Sequence, residues 1–520
     1  MALTSIGHRT TVPAARTVPE LLAWRRTVHP DRVAIEVHGV ARLTFADWEA
    51  GATSVTSALG QAGLRHGDRV GLVFGARDWT EFAVAYCGVL RAGAVAVPLS
   101  DRLAAGQLRY ALEHCAARIV LHGNDTPPPA APVGVPVRPL ADLLAGVNKH
   151  DVQLPASVDD GDTAAADLPP VRPGDLAQIL YTSGTTGRPK GVAASHANLT
   201  IGAPSHPRRL ALAHSERFLH AFAIGTNAGQ TMLFNALTAK PTALTLPRFT
   251  PVRFARLIES AGVGTVFVVP SMAIELLDSG ALSDRELTDV HLIGSTAAPL
   301  APAVATRLAA TFPEAAIVNY YTSTEAAPAQ TVMIFDPARR DAVGRAVDGQ
   351  LRIADADGNP LPVGSIGDVW LRAPHSRAYY QDEAANRATF RNGWVRMGDI
   401  GRLDDAGYLY LSDRHEDVIK SGAFKISSLE VEAALHEHPY VAEAAVVGVP
   451  HPVLGSAVAA VVVPRPDTPP AELALPALRG FLAGRLADYQ LPARVLLLDQ
   501  LPRNPGGKVL KRQLTSQFDN

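Results

Sequence analysis

The sequence predicts an α/β protein of more than one domain, on three observations. Helix-like and strand-like segments alternate from residue 17 onward, the rhythm of βαβ units. The chain has 520 residues, 47% of them hydrophobic, which is too long for one ordinary core and apolar enough for several. The pattern also changes twice, to short strands with Asp-Gly and Asn-Gly turns over 343–412 and to a smaller α/β set over 417–520.

The elements follow in order. Residues 18–28 place apolar side chains at helical spacing, and 34–37 and 42–45 read as strands around a His-Gly turn. A helix is expected over 47–62, a strand over 68–74, a mostly apolar helix over 79–92 and a strand over 93–99. Residues 124–175 are rich in Pro, Ala and Asp, a long surface connection with one helical patch at 140–145. Strands are expected at 176–180, 263–270, 291–295 and 316–320, with a helix ending near Ser279-Gly280. The β-rich stretch offers strands at 350–353, 367–373, 394–396 and 407–411. The tail offers strands at 441–449, 457–463 and 493–498 and a helix over 470–486.

Composition excludes several functions. A formal net charge of −2 gives no footprint for nucleic acid or an anionic membrane surface. Cys87 and Cys115 are too few for a disulfide framework or a four-thiolate metal site, and are expected as small core residues. No apolar run approaches a membrane span and the first residues do not read as a signal peptide, so a cytoplasmic protein without an integral membrane segment is expected.

The stretch around which the chain is organised is Tyr181-Thr182-Ser183-Gly184-Thr185-Thr186-Gly187-Arg188-Pro189-Lys190-Gly191. It follows the strand at 176–180, and Ser195, His196 and Asn198 can start the next helix, a setting in which backbone N–H groups converge on phosphate. Its glycines permit close approach, its hydroxyls donate, and Lys190 adds fixed positive charge. It is not a Walker A loop: two residues separate Gly184 from Gly187, and Lys190 is followed by Gly191.

This loop resembles the phosphate loop of the adenylate-forming enzymes, a superfamily of acyl-CoA synthetases, aryl-CoA ligases, peptide-synthetase adenylation domains and luciferases. Further segments resemble the family's motifs in order. Leu43-Thr44-Phe45 and residues 91–99 resemble two packing motifs. Ser295-Thr296-Ala297-Ala298-Pro299-Leu300 resembles the segment lining the acyl pocket, with Thr296 where glycine is usual. Tyr321-Thr322-Ser323-Thr324-Glu325 resembles Tyr-Gly-x-Thr-Glu, with Thr322 in the glycine position. Residues 393–399 resemble Gly-Trp-x-x-Thr-Gly-Asp, with Met397 for threonine. Residues 413–422 resemble the hinge, with Glu416 where Asp or Lys is commoner, and 501–512 resemble the segment with the catalytic lysine.

The resemblance implies the following. ATP or AMP is bound by Thr182, Ser183, Gly184, Thr185, Thr186, Gly187, Lys190, Asn319, Tyr320, Tyr321, Thr322, Thr324, Asp399, Arg414 and Lys508. Tyr321 stacks on adenine, Asp399 accepts both ribose hydroxyls, Glu325 coordinates Mg²⁺, and Thr182, Glu325 and Lys508 carry catalysis. Ala223, Thr226, Asn227, Gly229, Ser295, Thr296 and Ala297 form the acyl pocket. If Gly229 is the family glycine, Thr226 and Ala223 replace a usual His and Pro, and no aspartate stands between Arg217 and Pro247 to hold an amino-acid amine. Ala223, Ile224, Met232, Phe234 and Ala297 suit an apolar acyl group, whereas Thr226, Asn227, Thr296 and Asn319 suit a polar one. Glu416 is the pivot, and Lys420, Ser421 and Gly422 face coenzyme A. Lys511 and Arg512 are expected as a solvated basic tail.

By the same resemblance, residues 1–412 form a large N-terminal domain of two α/β subdomains plus a small β subdomain. Residues 413–416 form the hinge, and 417–520 a small mobile α/β domain. The expected enzyme converts a carboxylic acid to an acyl-adenylate with ATP and Mg²⁺, releasing pyrophosphate, and transfers the acyl group to coenzyme A. A stand-alone enzyme loading an acyl carrier protein is the alternative, and a non-catalytic acyl- or nucleotide-binding protein a third.

Overall fold

The computed structural model describes residues 15–145, 170–182, 189–414, 417–422 and 424–518. The chain divides into two compact units, one of residues 1–179, 193–216 and 230–245, the other of 180–192, 217–229 and 246–520.

The first unit is built on a parallel sheet. Strand Val95–Ser100 lies between the start of Leu176–Thr182 and Arg69–Phe74, followed by Ala117–His122 and Val137–Pro139. These strands read as near-continuous apolar runs, as parallel strands covered on both faces do. Helices Phe45–Gln61 and Trp79–Arg91 pack closely because Gly88 has no side chain; a Cβ there would stand 2.5 Å from Val55. Trp48, Trp79, Phe82 and Tyr86 fill the core, and Trp48 Nε1 donates to the Ala83 carbonyl at 2.8 Å. Cys87 and Cys115 are both buried here, as expected. Strand Val33–Val37 pairs with Ala41–Thr44 antiparallel and with Thr242–Thr245 parallel.

Helix Val18–Val28 opens on a capping box, with the Thr17 hydroxyl accepting from the Glu20 amide and the Glu20 carboxylate accepting from the Thr17 amide. Its Arg25 is 1% exposed and stacks on Phe45 at 4.1 Å. Nη1 of Arg25 donates to the Leu237 and Ala239 carbonyls at 2.9 and 2.8 Å, covering carbonyls at the end of helix Asn227–Thr238 that have no helical donor.

The second unit carries the strands Arg217–His220, Val263–Val268, Leu292–Ser295 and Ala316–Tyr321 in parallel, closed by antiparallel Thr331–Ile334. Helices Pro251–Ser260, Pro270–Asp278 and Pro302–Thr311 make the crossovers, and each begins with proline, whose missing N–H costs nothing there. Pro270 therefore starts a helix and does not end the preceding strand, as the sequence suggested. The β-rich stretch is an antiparallel sheet ordered Ala342–Gly344, Leu409–Arg414, Trp394–Leu403, Gly367–Arg372, Leu351–Ala354, with Phe390–Arg391 added beside Trp394–Leu403.

The tail forms its own sheet about Val441–His451 and Gly455–Pro464, with Ile419–Ser421, Phe424–Ile426 and Arg494–Leu497. Alternation sends Ala444, Val446, Val458, Ala460 and Val462 into one core with helices Ser428–Leu435 and Leu475–Ala483. Ala445, Val447, Val449, Ala457, Ala459 and Val461 enter a second core with Leu501, Leu514 and Phe518. The single helix expected over 470–486 is a 3₁₀ turn at Pro470–Leu473 followed by the helix Leu475–Ala483.

The expected strand–loop–helix setting of the phosphate loop is corrected. Strand Lys190–Ser195 intervenes before helix His196–Leu199, whose N-cap is Ser195. The loop therefore joins two strands, and no helix N-terminus follows it directly.

Replacing Arg25 with alanine should destabilise the protein by roughly 1–3 kcal/mol, because two buried carbonyls lose their donor. Urea unfolding reads this as a lower midpoint with an unchanged slope; an unchanged midpoint would refute it.

Candidate active site

The site lies where strands of the second unit end. Ligands collect at the carboxyl ends of parallel strands in open α/β sheets. Ala316–Tyr321 ends on Asn319, Tyr320 and Tyr321, and its neighbour Leu292–Ser295 ends opposite Asn319. A cavity of about 610 Å³ opens there, lined among others by Ala297, Asn319, Tyr320, Tyr321, Thr322, Asp399, Arg414 and Lys508. Seven of the residues assigned to nucleotide are thus brought to one cavity, Lys508 among them from the far end of the chain. Asn319 Oδ1 is buried without a protein partner among the described residues, an acceptor left for a ligand donor.

Asp399 is 3% exposed and pairs in register with Arg414 across antiparallel strands. Arg414 Nε lies 3.0 Å from Asp399 Oδ1, and the Tyr321 hydroxyl donates to Oδ2 at 2.5 Å. Both oxygens already hold a protein donor, so ribose hydroxyls would share them through remaining lone pairs. Tyr321 is also packed against the core of the β-rich sheet with Leu351 and Met397. Burial, then the Asp399 charge, raises its phenol well above the ordinary value and keeps it a neutral donor.

The turn after Tyr321 explains the residues that depart from the motif. Thr322 Oγ1 donates to the Ala329 carbonyl at 2.7 Å, so this side chain ties the turn together. Ser323 Oγ accepts from the Ala326 amide at 3.2 Å and donates to Met397 Sδ at 3.8 Å, which gives the methionine a polar contact where threonine was expected. Arg377 Nη1 donates to the Thr324 carbonyl at 2.8 Å.

Lys190 and Glu325 meet on a residue that sequence reasoning did not single out. The Tyr379 hydroxyl donates to Glu325 Oε1 at 3.0 Å, and Lys190 Nζ lies 4.8 Å from the centre of the same ring. The neighbouring Tyr380 amide donates to the Gly191 carbonyl, which docks strand Ala378–Tyr379 beside Lys190–Ser195. Nothing in a Tyr-Tyr pair within a turn-rich stretch signals this; only the strand pairing does. No cluster of three His, Cys, Asp or Glu able to cage a metal occurs among the described residues. A lone carboxylate at Glu325 fits Mg²⁺ held chiefly by substrate phosphates and water.

Lys508 is presented by a tight turn. The Asn504 amide donates to the Lys508 carbonyl, the Gly507 amide to the Asn504 carbonyl, and the Lys508 amide to Asn504 Oδ1 at 3.0 Å. Gly507 has φ +85°, which favours glycine, and a Cβ there would stand 3.3 Å from the Val269 side chain, a tight contact.

The acyl-pocket residues divide. Ala297 lines the cavity, with Ala298, Pro299 and Leu300 beside it. Ser295, Thr296, Ala223, Thr226, Asn227 and Gly229 do not line it. Thr226 instead caps a helix: its hydroxyl donates to the Ala223 carbonyl at 2.8 Å and accepts from the Gly229 amide at 3.0 Å. Gly229 is required because a Cβ would stand 2.1 Å from the Ala223 carbonyl oxygen. Ser295 is fully buried, and its Oγ has no partner among the described residues.

Lys420, Ser421 and Gly422 sit on the hairpin Ile419–Ser421/Phe424–Ile426 and do not line the cavity. Thr182 ends the strand Leu176–Thr182. Ser183, Gly184, Thr185, Thr186, Gly187 and Glu416 lie outside the described residues.

Lys511 corrects the expectation of a solvated basic tail. Its Nζ lies 2.8 Å from Glu432 Oε1, 2.8 Å from Ser428 Oγ and 3.8 Å from Asp417 Oδ2, and it borders the cavity. Facing it is Asp413, 2% exposed, whose Oδ2 accepts from the Ser428 amide at 2.6 Å at the start of helix Ser428–Leu435. Burial raises the Asp413 carboxyl to about 6, against the lowering effects of the Arg414 and Ser428 amides and the Lys511 charge.

A carboxyl whose folded pKa is raised favours the native state only when protonated. Its contribution is complete below the ordinary value of 3.8 and is lost as pH rises through about 6. Wild type should therefore lose stability relative to Asp413→Asn across that window, by about 2–3 kcal/mol. A pH-independent difference in melting temperature between the two proteins would contradict this.

The model of the AMP-binding enzyme family matches residues 22–380, and that of the AMP-binding enzyme C-terminal domain matches 430–508. The chain is 31% identical over 504 residues to the long-chain-fatty-acid–CoA ligase FadD13 of Mycobacterium tuberculosis, covering 96% of this chain and 98% of the relative. It is 29% identical to the fatty acid–[acyl-carrier-protein] ligase ScoC of Streptomyces coeruleorubidus, covering 97% of each. The crystal structure of ATP-bound MatB from Rhodopseudomonas palustris is similar, with a TM-score of 0.80, 29% identity and coverage of 96% and 99%. With its family model spanning well over half the chain, this protein belongs to the AMP-binding enzyme family.

Proposed function

We propose that this enzyme joins a carboxylic acid to the thiol of coenzyme A in two steps, with ATP converted to AMP and pyrophosphate. The observation that carries the reading is the cavity where Asn319, Tyr320, Tyr321, Asp399 and Arg414 meet Lys508. Aromatic rings and an open carboxamide acceptor suit a purine base, and a carboxylate beside an arginine suits ribose. In the first step a carboxylate oxygen of the acid bonds to the α-phosphorus, and the bond from that phosphorus to the β-phosphate oxygen breaks, releasing pyrophosphate. Two anions approach one another, so catalysis needs positive charge where the transition state gains negative charge. Lys508 and Lys190 supply it from the chain, with hydroxyl and amide donors of 182–187. Mg²⁺ held at Glu325 would neutralise phosphate oxygens when bound. In the second step the thiol sulfur bonds to the acyl carbon, AMP leaves with the bonding electrons, and the thiol proton passes to solvent.

The residues assigned to coenzyme A, Lys420, Ser421 and Gly422, lie away from the cavity that Lys508 enters. The second step therefore calls for the tail to turn about 413–416, withdrawing Lys508 and presenting the hairpin. The division into residues 1–412, hinge 413–416 and 417–520 belongs to this proposal.

Incubation with ATP, Mg²⁺ and a panel of carboxylic acids, with and without coenzyme A, followed by mass spectrometry, tests the reading. AMP and acyl-CoA are expected. The similarity to ScoC supports a second reading, transfer to a carrier protein; an acyl-adenylate discharged by a carrier protein and not by coenzyme A would establish it. No adenylate from any acid would overturn both.

Lys508→Ala should slow adenylation on the order of 10²–10³-fold; wild-type adenylation would remove the lysine from catalysis. Glu416→Pro should leave adenylation nearly intact and slow thioester formation, and equal loss of both steps would count against a pivot there.

A further inference from the structure

A second cavity, of about 670 Å³, adjoins the first and shares Pro302, Phe335, Arg340 and His436 with it. One wall comes from helix Pro302–Thr311 and residues 335–340, the other from His436, Glu437, His438, Pro439 and Arg465 of the tail. Its charge is one-sided. Arg307 and Arg465 share the single oxygen Oδ1 of Asp278, and Arg340 and Arg485 share Glu437. Each carboxylate is thus outnumbered by its arginines. The pairing is also incomplete: Arg307 Nη1 and Asp278 Oδ2 are buried without a partner among the described residues. His436, held down to about 4 by burial and then by Arg465 and Arg503, is a neutral imidazole at neutral pH and able to donate one hydrogen bond.

A cavity with several guanidinium forks and surplus positive charge suits a compact anion with many acceptors. We propose that it is a binding site for a phosphate-type dianion, bridging Arg307 and Arg340 on one wall and Arg465 and His436 on the other. Because its walls lie on opposite sides of 413–416, the site exists only while the tail is docked with Lys508 in the nucleotide cavity. A ligand that binds one arrangement and not the other shifts the balance toward it. Occupation therefore holds the enzyme in its first-step arrangement and delays the second. Binding itself does not depend on the reaction proposed above; the delay does.

The source of the phosphate group is either a free anion or a phosphoester of a nucleotide. Calorimetry on the full-length protein, with the nucleotide site filled by α,β-methylene ATP, distinguishes them using inorganic phosphate, diphosphate and 3′-phosphoadenosine 5′-phosphate as probes. Two variants report on the site. Arg307→Gln removes one guanidinium charge from the wall. Thr306→Glu adds a negative charge to the wall at an exposed helix position and leaves every ion pair in place. Saturable binding of phosphate or diphosphate, weakened about tenfold or more in both variants while the ATP analogue binds as before, is expected and identifies a free anion. Binding of the nucleotide probe alone, with the same sensitivity, supports the site and identifies a phosphoester. No binding by any probe, or binding unchanged in both variants, overturns the proposal. With preformed acyl-adenylate and coenzyme A at constant ionic strength, the binding anion should slow thioester formation several-fold in wild type and not in Thr306→Glu. Equal rates in wild type, despite measured binding, would overturn the conformational half.

Discussion

The proposed chemistry depends on one placement that the fold achieves: Lys508 lines a cavity formed almost 190 residues earlier in the chain, at Asn319–Thr322. Two anions must meet there, and water would screen a lysine that merely diffused nearby. The structure answers with a chain of supports. Leu501, Leu514 and Phe518 seat the terminal segment in the tail's second core. The Asn504–Lys508 turn, closed by side-chain and backbone bonds and fitted against Val269 by a glycine, then aims the lysine.

A second set of polar contacts joins the residues after the β-rich sheet to the end of the chain. Asp413 receives the first amide of helix Ser428–Leu435, and Lys511 links Ser428, Glu432 and Asp417. These groups are expensive to bury singly and tolerable only together. They sit beside the segment about which the tail is proposed to pivot. The arginine-lined cavity lies on the same seam, where shared carboxylates leave positive charge over.

Of the residues assigned to nucleotide from local motifs, seven line one cavity, while Thr182, Lys190 and Thr324 do not line it. Asn319, Tyr320, Tyr321, Thr322, Asp399, Arg414 and Lys508 do converge. Tyr379 was not legible: its role arises from an edge strand that pairs with Lys190–Ser195, and such pairing leaves no local signal. Thr226 was read as a pocket residue because of its position in a motif, whereas its hydroxyl caps a helix. Lys511 was read as solvated because a basic tail usually is; its carboxylate partners lie about 80 residues upstream or more.

By itself the sequence determined the α/β class, the alternation of elements, the β-rich, turn-punctuated character of the 343–412 region and the order of the motifs. Hydrophobic period, turn residues and short motifs are local properties, readable within a few residues. The tertiary structure decided what depends on long-range pairing: the strand that follows the phosphate loop, the occupied oxygens of Asp399, the phenol between Lys190 and Glu325, and the burial of Lys511 and Asp413. A side chain's partners are set by which strands lie side by side, and no local pattern encodes that choice.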